Sequence, residues 1–414
     1  QAYFASDNPA ERVVWEKMRL ADPNTGEIPN NIRQKEMIFA KTLPKSTSFN
    51  KASWVHRGPY NVGGRTRALA LDVIDENTMF AGGASGGMFR SKNGGQSWEM
   101  TTDPNQLHNV TCVAQDTRVG KENIWYFGSG ELTGSSASGG ESYYGGNGIY
   151  KSVDGGLSWD SLAVTATNTN GFDSNFDFIW NIKTDPSNDS LDVVYAATYG
   201  TIYRSENGGD SWVKELGGGS TYYNNVEVAS NGVVYATLSS DGLDKGIWRS
   251  EDGQNWTNIT DSLFPPIYGR IAIGINPSNE DEVYFLAAET DNHGQHTDVF
   301  FNGEAWTSLW KYDASDSSWI NLSSNIPANQ ATSFDNFNAQ GGYDLLVKVH
   351  PTDPNTVYIG GTNLWRSSDG FTSPNNTMII GGYFIGSVEG DGNWGVYPNH
   401  HPDQHDLLFL PSDA

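Results

Sequence analysis

Apolar residues recur along this chain in two rhythms, and the first is helical. Asn8-Pro9-Ala10-Glu11 offers an N-cap, a proline at the first helical position and an acid in the first turn, and Val13, Val14, Trp15, Met18 and Leu20 follow. Asp22-Pro23-Asn24-Thr25-Gly26 stops that helix. A second is predicted from Pro29 to Thr42, with Ile32, Met37, Ile38 and Phe39 as its stripe, ending before Leu43-Pro44. Helices this short are marginal alone, so residues 1–50 are expected to form a helical segment that packs on the body of the protein.

From Trp54 the rhythm shortens to apolar runs of strand length bounded by Gly, Asp, Asn and Pro, such as Thr78-Met79-Phe80-Ala81, Val193-Val194-Tyr195-Ala196, Val233-Val234-Tyr235-Ala236 and Thr356-Val357-Tyr358-Ile359. An aliphatic or Met, an aromatic and a base then precede a polar turn, as in Met88-Phe89-Arg90, Ile149-Tyr150-Lys151, Ile202-Tyr203-Arg204, Ile247-Trp248-Arg249, Leu309-Trp310-Lys311 and Leu364-Trp365-Arg366. The turn itself repeats. Ser152-Val153-Asp154-Gly155-Gly156-Leu157-Ser158-Trp159 has clean relatives from Ser91 to Trp98 and from Ser205 to Trp212, a shorter one from Ser250 through Asp252 to Trp256, and decayed ones from Lys311 to Trp319 and around Asp369 in Ser367–Ser373.

Six copies spaced 45 to 62 residues apart, each carrying four short strands, predict an all-β fold: a β-propeller of four-stranded antiparallel blades. Residues 51–414 form it, with insertions at 128–148 and 289–305. His405-Asp406-Leu407-Leu408-Phe409-Leu410-Pro411 matches Tyr343-Asp344-Leu345-Leu346-Val347-Lys348-Val349-His350-Pro351, so a seventh repeat begins, and the native polypeptide is expected to continue beyond Ala414. In each turn the glycines suit φ > 0, and the Ser and Asp or Asn side chains satisfy the loop's own amides. The tryptophan is expected to cover the hairpin against its neighbour. The motif therefore reads as a structural staple.

Composition agrees: 47 Gly, 14 Trp, 19 Tyr and 18 Phe suit many short strands joined by tight turns. The net charge of −24 argues against nucleic acid or an anionic membrane as partner, since both need a basic footprint. Cys112 is the lone cysteine, so no internal disulfide forms; alternation places it on a buried face with Val110 and Ala114. No apolar run approaches the roughly 18 residues of a membrane span. The chain begins at Gln1, as a mature chain does after signal-peptide removal.

The S-x-[DN]-G-G-x-S-W turn resembles the Asp-box (BNR) repeat of sialidases, xyloglucanase-type glycosidases and sortilin-type receptors. A narrower resemblance is to secreted bacterial Asp-box proteins exported by the type IX secretion system. It rests on Arg57-Gly58-Pro59-Tyr60-Asn61-Val62-Gly63-Gly64-Arg65-Thr66-Arg67, the loop from Gly128 through Glu131 to Tyr143 and Gly145, and His401-Pro402-Asp403-Gln404-His405. These resemblances imply a secreted or cell-surface bacterial protein, with polysaccharide, glycoprotein or outer-membrane and surface proteins as partners. A recognition or scaffold module is the leading expectation. The alternatives are a glycoside hydrolase, or secretion cargo or a subunit of an outer-membrane complex.

Propeller ligands bind at the channel, so the residues that open the inner strands matter most. Arg65, Arg67, Asp344, His405 and Asp406 stand there, with Glu131 and Tyr143 in the loop of the second repeat. They form a polar ligand site, or they pair with one another to satisfy a polar channel. For hydrolysis, Glu131 and Asp403 are the candidate carboxylates, to be set about 6.5–9.5 Å apart in an inverting enzyme. No Phe/Tyr-Arg-Ile-Pro signature accompanies the arginines, which disfavours a sialidase. No cofactor is expected. A structural metal such as calcium could use the donors of 391–394, 399–406 or 291–298, although their spacing matches no specific metal motif. Three Asp-Ser-Leu triplets resemble an O-glycosylation acceptor of the same bacterial group. Glycan mass is therefore expected on Ser161, Ser190 or Ser262 of the native protein, and unmodified peptides at all three would exclude it.

Overall fold

The computed structural model describes residues 9–29, 32–43, 65–103, 106–107, 109–134, 142–169, 171–299, 303–328, 336–384, 395–396 and 402–413. Two helices, Pro9–Leu20 and Ile32–Thr42, stand where the apolar stripes place them. Their side chains Val14, Trp15, Met18, Ile38 and Phe39 are exposed. No helix among the described residues is long and apolar enough to cross a membrane.

The rest is a six-bladed β-propeller. Blade 1 runs Thr66–Leu71, Met79–Gly83, Gly87–Ser91 and Glu99–Met100, hydrogen-bonded in that order. Blade 3 (Ile179–Thr184, Val194–Thr198, Thr201–Ser205, Val213–Gly217), blade 4 (Asn224–Val228, Val234–Leu238, Gly246–Ser250, Trp256–Asn258) and blade 6 (Leu346–Val349, Val357–Gly360, Leu364–Ser367, Thr377–Gly381) repeat that order. Blade 2 is Cys112–Gln115, Trp125–Gly128, Ile149–Ser152 and Asp160–Ser161, with an inserted hairpin of Glu131–Gly134 and Ser142–Tyr144. Blade 5 is Ile271–Ile275, Glu282–Ala288, Gly303–Asp313 and Ser318–Asn321, with Gln295–Val299 added beside its long third strand. Both insertions fall where the repeat spacing stretches.

The second strands of blades 2, 3 and 4 are buried along their whole length: every residue of Trp125–Gly128, Val194–Thr198 and Val234–Leu238 is enclosed. Neighbouring blades cover both faces, which is why these segments read as continuous apolar runs rather than alternating ones. Cys112 is buried as expected, and desolvation pushes its thiol up to about 12.

The repeated turns close on themselves. Ser152 Oγ accepts from Gly156 N at 2.9 Å and donates to Asp154 Oδ1 at 2.7 Å. Asp154 Oδ1 accepts from Leu157 N and Ser158 N, both at 3.0 Å. Desolvation opposes its charge, but the bonds from Ser158 and Ser152 hold the carboxyl down at about 2. Asn93 and Asn207 repeat the arrangement around Ser91 and Ser205. Asp252 and Asp369 do so around Ser250 and Ser367. In blade 5 the serine is gone and Asp313 takes Ser315 N at 2.9 Å.

The turns of blades 2, 3, 4 and 6 also meet the blade before them. A Cβ on Gly156, at φ +75°, would overlap the Phe80 ring of blade 1, and one on Gly253 would overlap the Tyr195 hydroxyl of blade 3. Tyr126 of blade 2 donates from its hydroxyl to Gly208 O at 3.2 Å. A Cβ on Gly370 of blade 6 would stand 2.8 Å from the Tyr284 hydroxyl of blade 5. The tryptophans follow less uniformly. Trp159 is buried and its Nε1 donates to Thr101 Oγ1 of blade 1 at 2.9 Å, whereas Trp212 and Trp256 are half-buried. Trp98 of blade 1 is 40% exposed, since no four-stranded blade precedes it among the described residues. The expectation that each tryptophan covers a neighbour is thus corrected there. In the sixth copy Phe371, at φ +60° and fully buried, occupies the second glycine's place.

Residues 402–413 lie between blades 6 and 1, where the first strand of a seventh repeat belongs, without strand pairing. Gln404 N donates to Gly361 O at 2.8 Å, Phe409 packs on Tyr358 at 5.4 Å, and Ser412 N reaches Glu76 Oε2 of blade 1 at 2.9 Å.

Gly156→Ala is expected to cost about 1–3 kcal/mol from overpacking on top of its backbone strain. Gly155→Ala has a similar φ, but its Cβ meets only Asn123 Oδ1 at 3.4 Å and should cost less. Equal shifts in denaturant midpoint would rule out the contact with Phe80 as the reason for the glycine.

Candidate ligand site at the channel mouth

All inner strands begin at the same end of the channel, so the residues opening them converge. Glu131 is brought in from the side by the blade 2 hairpin, with no exposed side-chain surface. Arg65 and Arg67 of blade 1 hold it: Arg65 Nε donates to Glu131 Oε1 at 3.1 Å, its Nη2 pairs with Oε2, and Arg67 Nε lies 3.3 Å from Oε1. Burial works against the Arg65 charge, but the hydrogen bond and attraction of Glu131 outweigh it and raise its pKa. Both guanidiniums also lie over the Tyr343 ring, at 5.9 and 5.2 Å.

Arg67 Nη1 makes a 2.9 Å bond to His405 Nδ1. A guanidinium only donates, so Nδ1 accepts and the ring proton sits on Nε2, facing Asp344 Oδ1 at 3.7 Å. His405 is driven well below its ordinary value, first by burial and then by Arg67, Arg270 and Arg65, and is neutral. Asp344 is fully buried with the Asp403 carboxyl against it, and among the described residues no donor makes a well-aligned hydrogen bond to either of its oxygens. Burial first, then the neighbouring Asp403, lifts it well above the usual carboxylate range. Asp403 itself accepts from Gln340 Nε2 at 3.2 Å.

The fold thus brings together Arg65, Arg67, Glu131, Asp344, Asp403 and His405. Mutual pairing accounts for the first three, as one of the two sequence readings expects. Of the candidate catalytic pair, Glu131 is committed to two arginines and Asp403 lies against Asp344. Asp406 takes another partner, Lys348 Nζ at 3.9 Å. Tyr143 belongs to the strand Ser142–Tyr144, but its side chain lies outside the described residues, as do residues 391–394 and 399–401. Among the described residues no group of three His, Cys, Asp or Glu is arranged to hold a metal. Ser161, Ser190 and Ser262 are all exposed.

Below the mouth the channel opens into a cavity of about 480 Å³ lined by Arg67, Trp180, Lys183, Asn225, Arg270 and His405 among others. Lys183 and Glu227 form a 3.0 Å ion pair along it. Arg270 opens the inner strand of blade 5 as Arg67 opens that of blade 1. Its Nη1 donates to the carbonyls of Gly342 and Tyr343, both at 3.2 Å.

Sequence reasoning missed Arg270, Tyr343 and an aromatic strip. Phe172, 56% exposed, meets Tyr199 edge-on at 5.1 Å. Tyr199 meets Tyr222 at 6.3 Å, Tyr222 meets Tyr223 at 4.8 Å, and Tyr223 meets Trp180 at 5.0 Å. Arg270 then lies over Trp180 at 5.8 Å. Thr133 of the blade 2 hairpin donates to the Tyr222 hydroxyl at 3.1 Å. One signal was readable for Arg270: a base immediately before the apolar run Ile271-Ala272-Ile273.

No family model matches the chain, and comparison with curated proteins finds no relative. Among solved structures, the chain is similar to an ancestral GH74 enzyme at 20% identity and TM-score 0.53, covering 78% of this chain and 40% of that one. It is also similar to the GH74 enzyme of Niastella koreensis at 20% identity and TM-score 0.51, covering 74% and 45%. YCF48 from Cyanidioschyzon merolae is similar at 15% identity and TM-score 0.45, covering 79% and 90%. The chain spans less than half the length of either GH74 enzyme. At these identities the likeness establishes the β-propeller fold alone.

The depressed His405 value means that the unfolded chain takes up a proton near pH 6.5 that the folded protein refuses. Stability conferred by the neutral ring is therefore lost as pH falls below about 6.5, by at most about 1.4 kcal/mol per pH unit. His405→Asn lacks this component. Its unfolding free energy relative to wild type should improve between pH 7 and pH 5, and a difference independent of pH would refute the neutral buried imidazole.

Proposed function

We propose that the protein is an exported surface module that recognises a polysaccharide, the sugar chain lying on the aromatic strip and reaching the polar residues of the channel mouth. The observation that carries this reading is the strip itself: Phe172, Tyr199, Tyr222, Tyr223 and Trp180 follow one another across blades 3 and 4, all of them exposed or half-buried. Sugar rings present flat C–H faces, and aromatic faces bury these while the hydroxyls turn to hydrogen-bonding groups. The hydroxyls of Tyr199, Tyr222 and Tyr223 provide such groups along the strip. Export is supported by the resemblance to secreted Asp-box proteins and by the exposed serines of the Asp-Ser-Leu triplets.

One observation favours a second reading, hydrolysis. Burial and the neighbouring Asp403 push the Asp344 carboxyl well above the usual carboxylate range, and an acid with a raised pKa next to a second carboxyl group is what glycoside cleavage asks of its donor. Its complete burial leaves no surface to meet a glycosidic oxygen, so recognition ranks first.

Affinity electrophoresis through gels containing soluble polysaccharides tests both. Phe172→Ala and Tyr222→Ala are each expected to weaken retardation by about 1–2 kcal/mol, or roughly five- to thirtyfold. Retardation unchanged in both variants would remove the strip as the binding surface. In parallel, release of reducing ends that Asp344→Asn abolishes would move the protein to the hydrolases, and wild type without turnover would set that reading aside.

A further inference from the structure

The charges at the channel mouth do not balance. Arg65 and Arg67 share one carboxylate, Glu131. Arg270 has no ion-pair partner among the described residues: it donates to two backbone carbonyls and lies over Trp180. The groups facing it do not supply one at ion-pair distance: Asp406 attracts it from farther off and is paired with Lys348. Burial holds the Asp344 carboxyl well above the usual carboxylate range and keeps the His405 ring from taking up a proton, and Arg67 carries the same sign as Arg270. Burial, and secondly the repulsion of Arg67, brings Arg270 down to about 10.

A cation enclosed without a counter-charge is costly, and an incoming anion removes that cost. The guanidinium lines the 480 Å³ cavity, so the space beside it suffices for a ligand group. It is also where the aromatic strip ends, through Tyr223 and Trp180.

We infer that Arg270 receives the anionic substituent, carboxylate or sulfate ester, of a sugar residue stacked at the Trp180 end of the strip, making the ligand an acidic polysaccharide. This rests on the polysaccharide reading above and narrows it. The planar guanidinium forms paired hydrogen bonds with either oxyanion, using donors that the carbonyls of Gly342 and Tyr343 leave available. A protein carrying −24 overall repels a polyanion at long range, so the selection falls to this local positive charge.

Calorimetric titration with three probes tests it: an oligogalacturonate, its carboxyl-reduced neutral counterpart and a sulfated galactan oligosaccharide. Wild type is expected to bind at least one acidic probe about tenfold or more tighter than the neutral one, and the stronger acidic probe names the anion. Arg270→Met should abolish that preference while keeping affinity for the neutral probe, and Arg270→Lys should retain part of it. Equal affinity of wild type for acidic and neutral probes, or a preference that survives Arg270→Met, overturns the inference and leaves the polysaccharide reading standing. Binding of none of the three by wild type overturns both. Should Arg270→Met fail to fold, the wild-type comparison and Arg270→Lys decide the matter.

Discussion

The constraint on which the molecule depends is the close approach of one blade's turn to an aromatic ring on the preceding blade. Phe80, Tyr126, Tyr195 and Tyr284 occupy equivalent places on the second strands of blades 1, 2, 3 and 5, and a turn glycine comes to rest on each. A side chain there would separate the blades. The Ser and Asp or Asn side chains pin the turn so that its glycine arrives in the right conformation, and the buried second strands hold the ring that receives it. The repeated motif stabilises two things together: its own hairpin and the angle between neighbours.

With the blades fixed, the inner strands deliver their opening residues to one end of a common channel. The chemistry assembled there differs in character from the turns outside. Turn acids are exposed, charged and saturated with hydrogen bonds, as Asp154 shows. At the mouth, burial dominates, so that it pushes Asp344 up, drives His405 down and makes Arg270 carry its charge at a cost. The same residue types behave oppositely because water reaches one set and not the other.

That contrast explains what the sequence reveals. The blades are legible because each repeats a local pattern: an apolar run, an aromatic and a base, then a glycine turn. Arg65, Arg67, Asp344 and His405 are legible as well, since each opens or adjoins an inner strand. The position of Glu131 against two arginines depends on how an inserted hairpin folds back, which no local spacing specifies. Tyr199, Tyr222, Tyr223 and Trp180 come from strand ends on two blades and become neighbours only once the sheets are splayed around the axis. The exposure of Trp98 is likewise invisible in its motif, which matches that of buried Trp159; the difference lies in which blades stand beside them.

The turn-on-ring contact has a direction: a blade offers its ring to the next and its turn to the one before. Each contact involves only two adjacent units, and four junctions use it, whereas the blade 5 turn, Asp313-Ala314-Ser315-Asp316, has no glycine to offer the blade 4 ring. Nothing in it records how many units the circle holds. Gain or loss of a repeat that carries both ring and glycine would therefore leave the other junctions of this kind intact, so the contact itself sets no limit on circumference.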